Sequence, residues 1–530
     1  MTNTMKYIIN HLLSLLAVTT IVACSDNLLE TLPNDRVSSE IYWQTENDFT
    51  LGANAVYTLL EGAGDFTNWD AMSDIGHVTL MWREESIIEK GAYDATIGKV
   101  LRTWTDAYTG IQAANIFLDK AKESEGLNQD LINRLMGEVK VLRAFFYTRL
   151  AILYGDVPLL KKETTLEEAR ALTRTPVSEV WDFVYSELNE AADLLPTVQQ
   201  EKGRMTKGAA LALQARAMLY AHRYQEAATA AKKVMDLNVY RLYPRYEKLF
   251  SYEAENNEEV IMSREYIKNI QSNNIFSLTT PNSLFPQVNS FVPTKQAVDA
   301  YQMSNGKDIA DPTSGFDPRN PYKNRDPRLK YSIFVLGDML FNGQIYDPRP
   351  GSGTGDAIGY AENSTATGFN VKKYLNAEDM AQPSNCGINL IFIRYAEVLL
   401  SYAEAKIELN QIDESVLAAI NEVRARPDVN MPPIQNVSGQ SELREVVRRE
   451  RLVEFAFEGL RYFDLRRWRT AEEVIPGIIY GMTYVDASGN LQTISLPGFL
   501  KVFNPQRDYL WPVPQREIEL NPNLSQNPNW

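Results

Sequence analysis

The chain has 530 residues, 44% of them hydrophobic, and a formal net charge of -15, enough apolar material for large cores and, at ordinary domain sizes, room for about three folding units. The acidic balance excludes capture of nucleic acid or of an anionic membrane surface through a basic patch and favours neutral or cationic ligands. The 2 cysteines and 3 histidines form no cluster in the sequence, which excludes a disulfide framework and leaves no case for a transition-metal site or a Cys–His nucleophile.

Residues 1–23 read as an export signal. Lys6 supplies a positive start, residues 7–23 an apolar run too short and too interrupted by Asn10 and His11 to span a bilayer, and Ala23 a small residue before Cys24. Ile21-Val22-Ala23-Cys24 resembles the lipobox of bacterial lipoproteins, which implies cleavage before Cys24, lipid on Cys24 and a mature chain of residues 24–530. "CSDNLLE" resembles the acidic tether that sends some lipoproteins to the outer face of the outer membrane. Several acyl chains anchor a protein stably without a transmembrane helix. Cys386 is then left without a partner.

Residues 61–86, "EGAGDFTNWDAMSDIGHVTLMWREES", have poor helical period and read as a loop. Trp104, Tyr108 and Asn115 fall at helical spacing, as do Leu135, Val139, Leu142, Phe146, Leu150 and Leu153, whose helix is ended by Gly155 and Pro158. Residues 209–238 pattern as two short helices with alanines at their crossings, like a tetratricopeptide hairpin, and residues 393–427 repeat the arrangement less regularly. Between them, residues 262–390 are rich in Asn, Pro, Gly and Asp with only short strand-like runs, the composition of binding loops or linkers. Gly351, Gly353 and Gly355 lie in a surface loop; no lysine or capping helix follows to make a phosphate loop. Asp308, Asp311 and Asp317 lack the ordered spacing of a calcium loop, so no metal is assigned.

"RRERLVEFAFEGLRYFDLRRW", residues 448–468, reads as one helix carrying Glu450, Glu454 and Glu458 every four residues. Such a spacing sets carboxyl groups at a glycosidase-like separation, but on one helix face they cannot flank a glycosidic bond. Arg448, Arg449, Arg451, Arg461, Arg466 and Arg467 are the expected ion-pair partners. Guanidinium neighbours keep carboxylates ionised, the opposite of what a general acid needs. Glu397, Glu404, Arg394, Arg424 and Arg426 offer a second set of the same kind. The expected role is structural, with no catalytic residues.

Four segments, "GEVKVLRAFFYTRLAILYGDVPLL", "IRYAEVLLSYAEAKIELN…AAINEVRARP", the 448–468 segment and the terminal "YLWPVPQREIELNPNLSQNPNW", together with "NPYKNRDPRL" and the lipobox, resemble the SusD/RagB family over nearly the whole mature chain. The resemblance implies a mainly α SusD-like fold: a tetratricopeptide helical-hairpin scaffold over about 40–260 and 390–470, a loop-rich ligand region over about 262–390, an extended C-terminal segment over 471–530, and a few short strands. It implies a cell-surface outer-membrane lipoprotein that binds a glycan and delivers it to a SusC-like TonB-dependent transporter, with no cofactor and no enzymatic activity. The alternatives are the oligopeptide-binding lid of a RagAB-like importer, a glycoside hydrolase, or a pure helical-repeat scaffold.

The resemblance carries over no ligand residue, because family ligand sites lie in variable loops. Sugars present apolar C–H faces ringed by hydroxyls and need exposed aromatic rings with polar neighbours. Phe66, Trp69 and Trp82, with Asn68, Asp70, Asp74 and Arg83, meet that need in the 61–86 segment. Tyr266, Asn269, Gln271, Asn273, Asn274 and Phe285 form a second group, and Tyr346 and Tyr360 a third. Trp104, Tyr108, Asn115, Trp468 and Trp511 are expected in the core.

Overall fold

The computed structural model describes residues 42–286, 291–437 and 439–530. Cys24 and the export signal lie outside the described residues. Labelling helices of eight residues or more, the order is α1 (Glu46–Tyr57), α2 (Ala63–Ala71), α3 (Gly98–Lys122), α4 (Gln129–Tyr154), α5 (Val177–Leu194), α6 (Lys207–Tyr220), α7 (Tyr224–Asp236), α8 (Tyr395–Glu408), α9 (Glu414–Arg424), α10 (Gln440–Phe455) and α11 (Arg461–Trp468). The strands are β1 (Gly76–Val78), β2 (Val260–Arg264), β3 (Phe291–Pro293), β4 (Ile333–Phe334), β5 (Asn370–Val371), β6 (Leu390–Arg394), β7 (Gly477–Val485) and β8 (Leu491–Lys501).

Helix boundaries follow local chemistry. Thr45 and Asp48 close a capping box on α1, Asn128 accepts from the first N–H groups of α4, and Thr206 and Asp413 cap α6 and α9, each satisfying donors that the helix leaves orphaned. Gly155 ends α4 with φ +71°. Successive helices then pack on one another, α3 on α4, α4 on α5, α5 on α6, α6 on α7 and α8 on α9. Gly110 makes the first crossing close: a Cβ there would sit 2.3 Å from the Phe146 ring.

α7 also packs directly on α8, although residues 237–394 separate them in sequence. The helical stack is therefore continuous through space, and the whole loop-rich region is one excursion between two consecutive layers. The mainly helical expectation holds. The strands form two-stranded antiparallel pairs, β1–β3, β2–β6, β4–β5 and β7–β8. No described helix is long and apolar enough to cross a membrane.

Two local expectations are corrected. Residues 61–86 are not an irregular loop: Ala63–Ala71 is α2, with Ala63, Phe66, Thr67, Asn68, Trp69, Asp70 and Ala71 all buried. With seven of its nine residues buried, the helix keeps too narrow an exposed face for an amphipathic period to be read. The segment 448–468 is two helices, broken where Phe457 and Gly459 adopt φ of +67° and +77°. A Cβ on Gly459 would lie 2.8 Å from the Phe66 carbonyl, so the break lets this turn pass closely over α2. Asp70 stabilises it, its carboxylate accepting from Gly459 N–H and Arg461 N–H at 2.9 Å each.

Candidate functional site

The carboxylates of the 448–468 segment lie in a buried ion network. Glu454, fully buried, accepts from Arg394 at 2.7 Å, Arg426 at 3.0 Å and Arg328 at 2.8 Å. Glu450 pairs with Arg328 at 2.6 Å and Arg424 at 2.8 Å; Glu458 pairs with Arg394 at 2.8 Å and Lys373 at 2.7 Å. Glu259 joins Arg394 and Arg426, and Asp326 joins Arg328. Despite the burial, the Arg394, Arg426 and Arg328 guanidinium groups hold Glu454 far below the usual carboxylate range. Burial pushes Lys373 down to about 8, with Glu458 opposing it.

These partners differ from those expected. The nearby arginines go elsewhere: Arg451 and Arg467 to Asp464 and Glu404, Arg461 to Asp74 at 2.8 Å, Arg449 to Asp308 at 2.8 Å. Arg448 lies over Trp468 and Arg466 over Tyr462. Arg394, Arg424 and Arg426, expected to pair with Glu397 and Glu404, belong to this network, while Glu397 pairs with Arg216 at 2.6 Å. Since Glu458 lies past the end of α10, it reaches Lys373 and Arg394 from the turn. Glu450, Glu454 and Glu458 are enclosed and paired with cations, so none of the three is poised as a general acid facing a cleft.

The exposed candidates lie elsewhere. In the β1–β3 ribbon Val78 pairs with Phe291, and two described segments carry the accessible rings and the polar ties. The first carries Trp82, 71% exposed, next to Arg83. Arg83 reaches Glu85 at 3.3 Å, and Asn68 donates to the same carboxylate at 3.1 Å. The second, residues 282–285, contains Asn282, which donates to the Gly355 carbonyl at 2.7 Å; Asn342 donates to the Ser283 carbonyl at 3.3 Å. Met339, Ile345 and Tyr360, on the loops thus tied together, are exposed, Tyr360 by 64%.

The expected ligand residues therefore separate. Trp82 and Tyr360 are exposed, and Arg83 and Phe285 are half-buried, Phe285 against the core. Trp69 is a core residue: its ring packs on Tyr462, Phe463 and Trp511, Arg149 and Lys99 lie over it, and its indole N–H donates to Glu61 at 2.9 Å. Phe66 packs edge-on against Tyr374. Asn68 and Asp70 are buried, and burial pushes Asp70 up to about 7 against its two N–H donors. Tyr346 is fully buried with its hydroxyl bonded to Asn370 at 2.7 Å; its Gly-rich neighbours are at the surface but its ring points inward. Tyr266 is buried beside the Arg264 guanidinium, two residues past the end of β2.

Met339 and Ile345 were missed because isolated aliphatic residues in a loop carry no periodic signal; they face each other across a short bridge. A separate apolar cleft of about 740 Å³ lies between α3, residues 158–172 and residues 517–524. Trp104 and Tyr108 line its wall, and Trp511 is core, as expected.

The family model described as "SusD family" matches residues 258–530, and one described as "Starch-binding associating with outer membrane" matches residues 37–219. "SusD-like protein P38" of Formosa agariphila is 27% identical over 531 residues, covering 95% of each chain. A crystal structure described as a SusD-like carbohydrate binding protein from Bacteroides fragilis is 28% identical with TM-score 0.84, covering 91% of this chain and 100% of that one. A second SusD-like protein from the same organism is 27% identical with TM-score 0.82, covering 94% and 100%. With more than half of its length matched by the first of these models, and the helical stack reproduced in the solved structures, this chain belongs to the SusD family.

Proposed function

We propose that the protein binds a glycan at its exposed surface loops through Trp82 and passes it to a SusC-like TonB-dependent transporter in the outer membrane, to which Cys24 anchors it by lipid on the extracellular side. The observation that carries this reading is Trp82, a 71% exposed indole held beside Arg83 and the paired Asn68–Glu85 on a well-packed scaffold. Such a ring stacks on the C–H face of a sugar while its polar neighbours meet the hydroxyls. Carbohydrate binding by the Bacteroides fragilis relative and outer-membrane association in the second family description support it. The protein performs no hydrolysis, since the carboxylates of the 448–468 network are committed to buried ion pairs. The test is calorimetric titration of wild type and Trp82→Ala with soluble glycans and, as a control for the oligopeptide reading, short peptides. Binding of peptides alone, or glycan affinity unchanged in the variant, overturns the proposal.

A further inference from the structure

The excursion between α7 and α8 contains a cleft of about 330 Å³, lined from the stretches 247–253 and 372–378 and by Tyr331 and Phe341 from the chain between them. Its volume is near the lower end of the roughly 300–1,000 Å³ usual for small-ligand sites. Three of its rings, Tyr252, Tyr331 and Phe341, are half-buried, and each is held in place. The Tyr252 hydroxyl donates to Asp379 at 2.8 Å, the Tyr331 hydroxyl donates to the Asp428 carbonyl at 3.3 Å, and Phe341 packs edge-on against Phe334 with ring centroids 5.8 Å apart. Rings fixed before a ligand arrives lose little freedom on binding it.

Lys373 and Tyr374, both buried, line the cleft as well. Tyr374 holds a φ of +66°, a conformation that costs a bulky side chain energy and persists only where the surroundings enforce it. Here they do: Lys373 donates to Glu458 at 2.7 Å and to the Glu454 carbonyl at 3.0 Å, and the Tyr374 hydroxyl accepts from Ile391 N–H at 3.3 Å. The ion network thus braces the cleft.

Charge decides the class of ligand. The lining lysines, Lys248, Lys372 and Lys373, are matched in number by Glu247, Glu253 and Glu378. Lys373 is committed to Glu458, Lys372 donates to the Lys330 carbonyl at 3.0 Å and has its charge answered by Asp338 and Glu247, and Lys248 has Glu253 at 4.0 Å. Among the described residues that line the cleft no cation is left over for a carboxylate or a sulfate. Charged side chains in balance around aromatic rings suit a ligand with apolar C–H faces and neutral hydroxyls.

We propose that this cleft is a second sugar-binding site, sharing no lining residue with the Trp82 segment, which takes one or two neutral sugar rings against Tyr331 and Phe341. The ligand class rests on the glycan reading above; the cleft itself does not rest on Trp82.

The test uses the full chain carrying Trp82→Ala, which leaves only the heat of the cleft. Calorimetric titration with glucose, galactose, mannose, maltose, cellobiose and laminaribiose should show a saturable site for at least one of these sugars, and glucuronate should show none. Adding Tyr331→Ala or Phe341→Ala should weaken that site about tenfold, the loss of one aromatic contact. No binding of any of these sugars in Trp82→Ala, binding of glucuronate as tight as that of the neutral sugars, or an affinity unchanged in both ring variants overturns the cleft. Failure of the Trp82 reading looks different: Trp82→Ala would then bind as the wild type does, and only the ring variants would lose the sugar. If neither ring variant folds, a crystal of Trp82→Ala soaked in the bound sugar decides alone: density against Tyr331 and Phe341 supports the cleft, and sugar bound elsewhere overturns it.

Discussion

Replacing Glu454 by Gln removes one negative charge from the centre of the ion network with almost no change in volume. The carboxylate oxygens receive guanidinium donors from Arg328, Arg394 and Arg426 at 2.7 to 3.0 Å, and the network balances Glu259, Glu450, Glu454, Glu458 and Asp326 against Arg328, Arg394, Arg424, Arg426 and Lys373. Glutamine offers one acceptor oxygen and turns an NH₂ group toward a cation, leaving a net buried positive charge. Breaking a buried pair by removing one partner costs about 3–5 kcal/mol, and a chain of this length loses roughly 1 °C of melting temperature per kcal/mol, so a fall of about 3–5 °C is expected. The acid limb of the stability curve gives an independent reading. Because the folded-state pKa of Glu454 is depressed, its contribution is fully present above about pH 4.5 and is lost as pH falls through the folded value; Glu454→Gln should flatten that limb. Arg328→Met added to Glu454→Gln should cost less than the sum of the two single changes, since it removes the stranded charge. Calorimetric melts across pH measure all of this. An unchanged melting curve accompanied by loss of glycan hydrolysis would refute the structural reasoning.

Trp82→Ala should weaken glycan binding by about 1–3 kcal/mol, the scale of one aromatic contact, with an unchanged melt, because the ring is mostly outside the core. Trp69→Ala should do the reverse, costing about 3–5 kcal/mol of stability with or without ligand, as read from paired titrations and melts. Cys24→Ala should release the protein from the outer membrane or leave it as precursor; a mature, lipid-labelled variant in the membrane fraction would contradict the anchor. Gentle detergent extraction should co-purify a TonB-dependent transporter through an interface of about 2,000 Å² or more; recovery of the protein alone under several gentle conditions would count against the partnership.

The helical scaffold was legible in the sequence because its signals are local. The stripe from Leu135 to Leu153, the stop at Gly155 and the alanine-rich α6–α7 hairpin each depend on residues within one or two turns, and the structure reproduces them. The structural role of the 448–468 carboxylates was legible too, since so many arginines beside buried aromatic residues leave little else for them to do. Which arginines pair with them was not. Arg328 and Lys373 come from the excursion between α7 and α8 and Arg394 from the end of β6, and only folding brings them to one point. The aromatic residues of 61–86 show the same division. Sequence supplied Trp69 and Trp82 as equal candidates in one apolar, glycine-punctuated stretch; a helix enclosed by α11 and the C-terminal segment buried the first, and the end of a three-residue strand left the second in solvent. Periodicity reports the side of a helix that faces water, and α2 shows water only Gly64 and Asp65, so its burial was decided by neighbours hundreds of residues away.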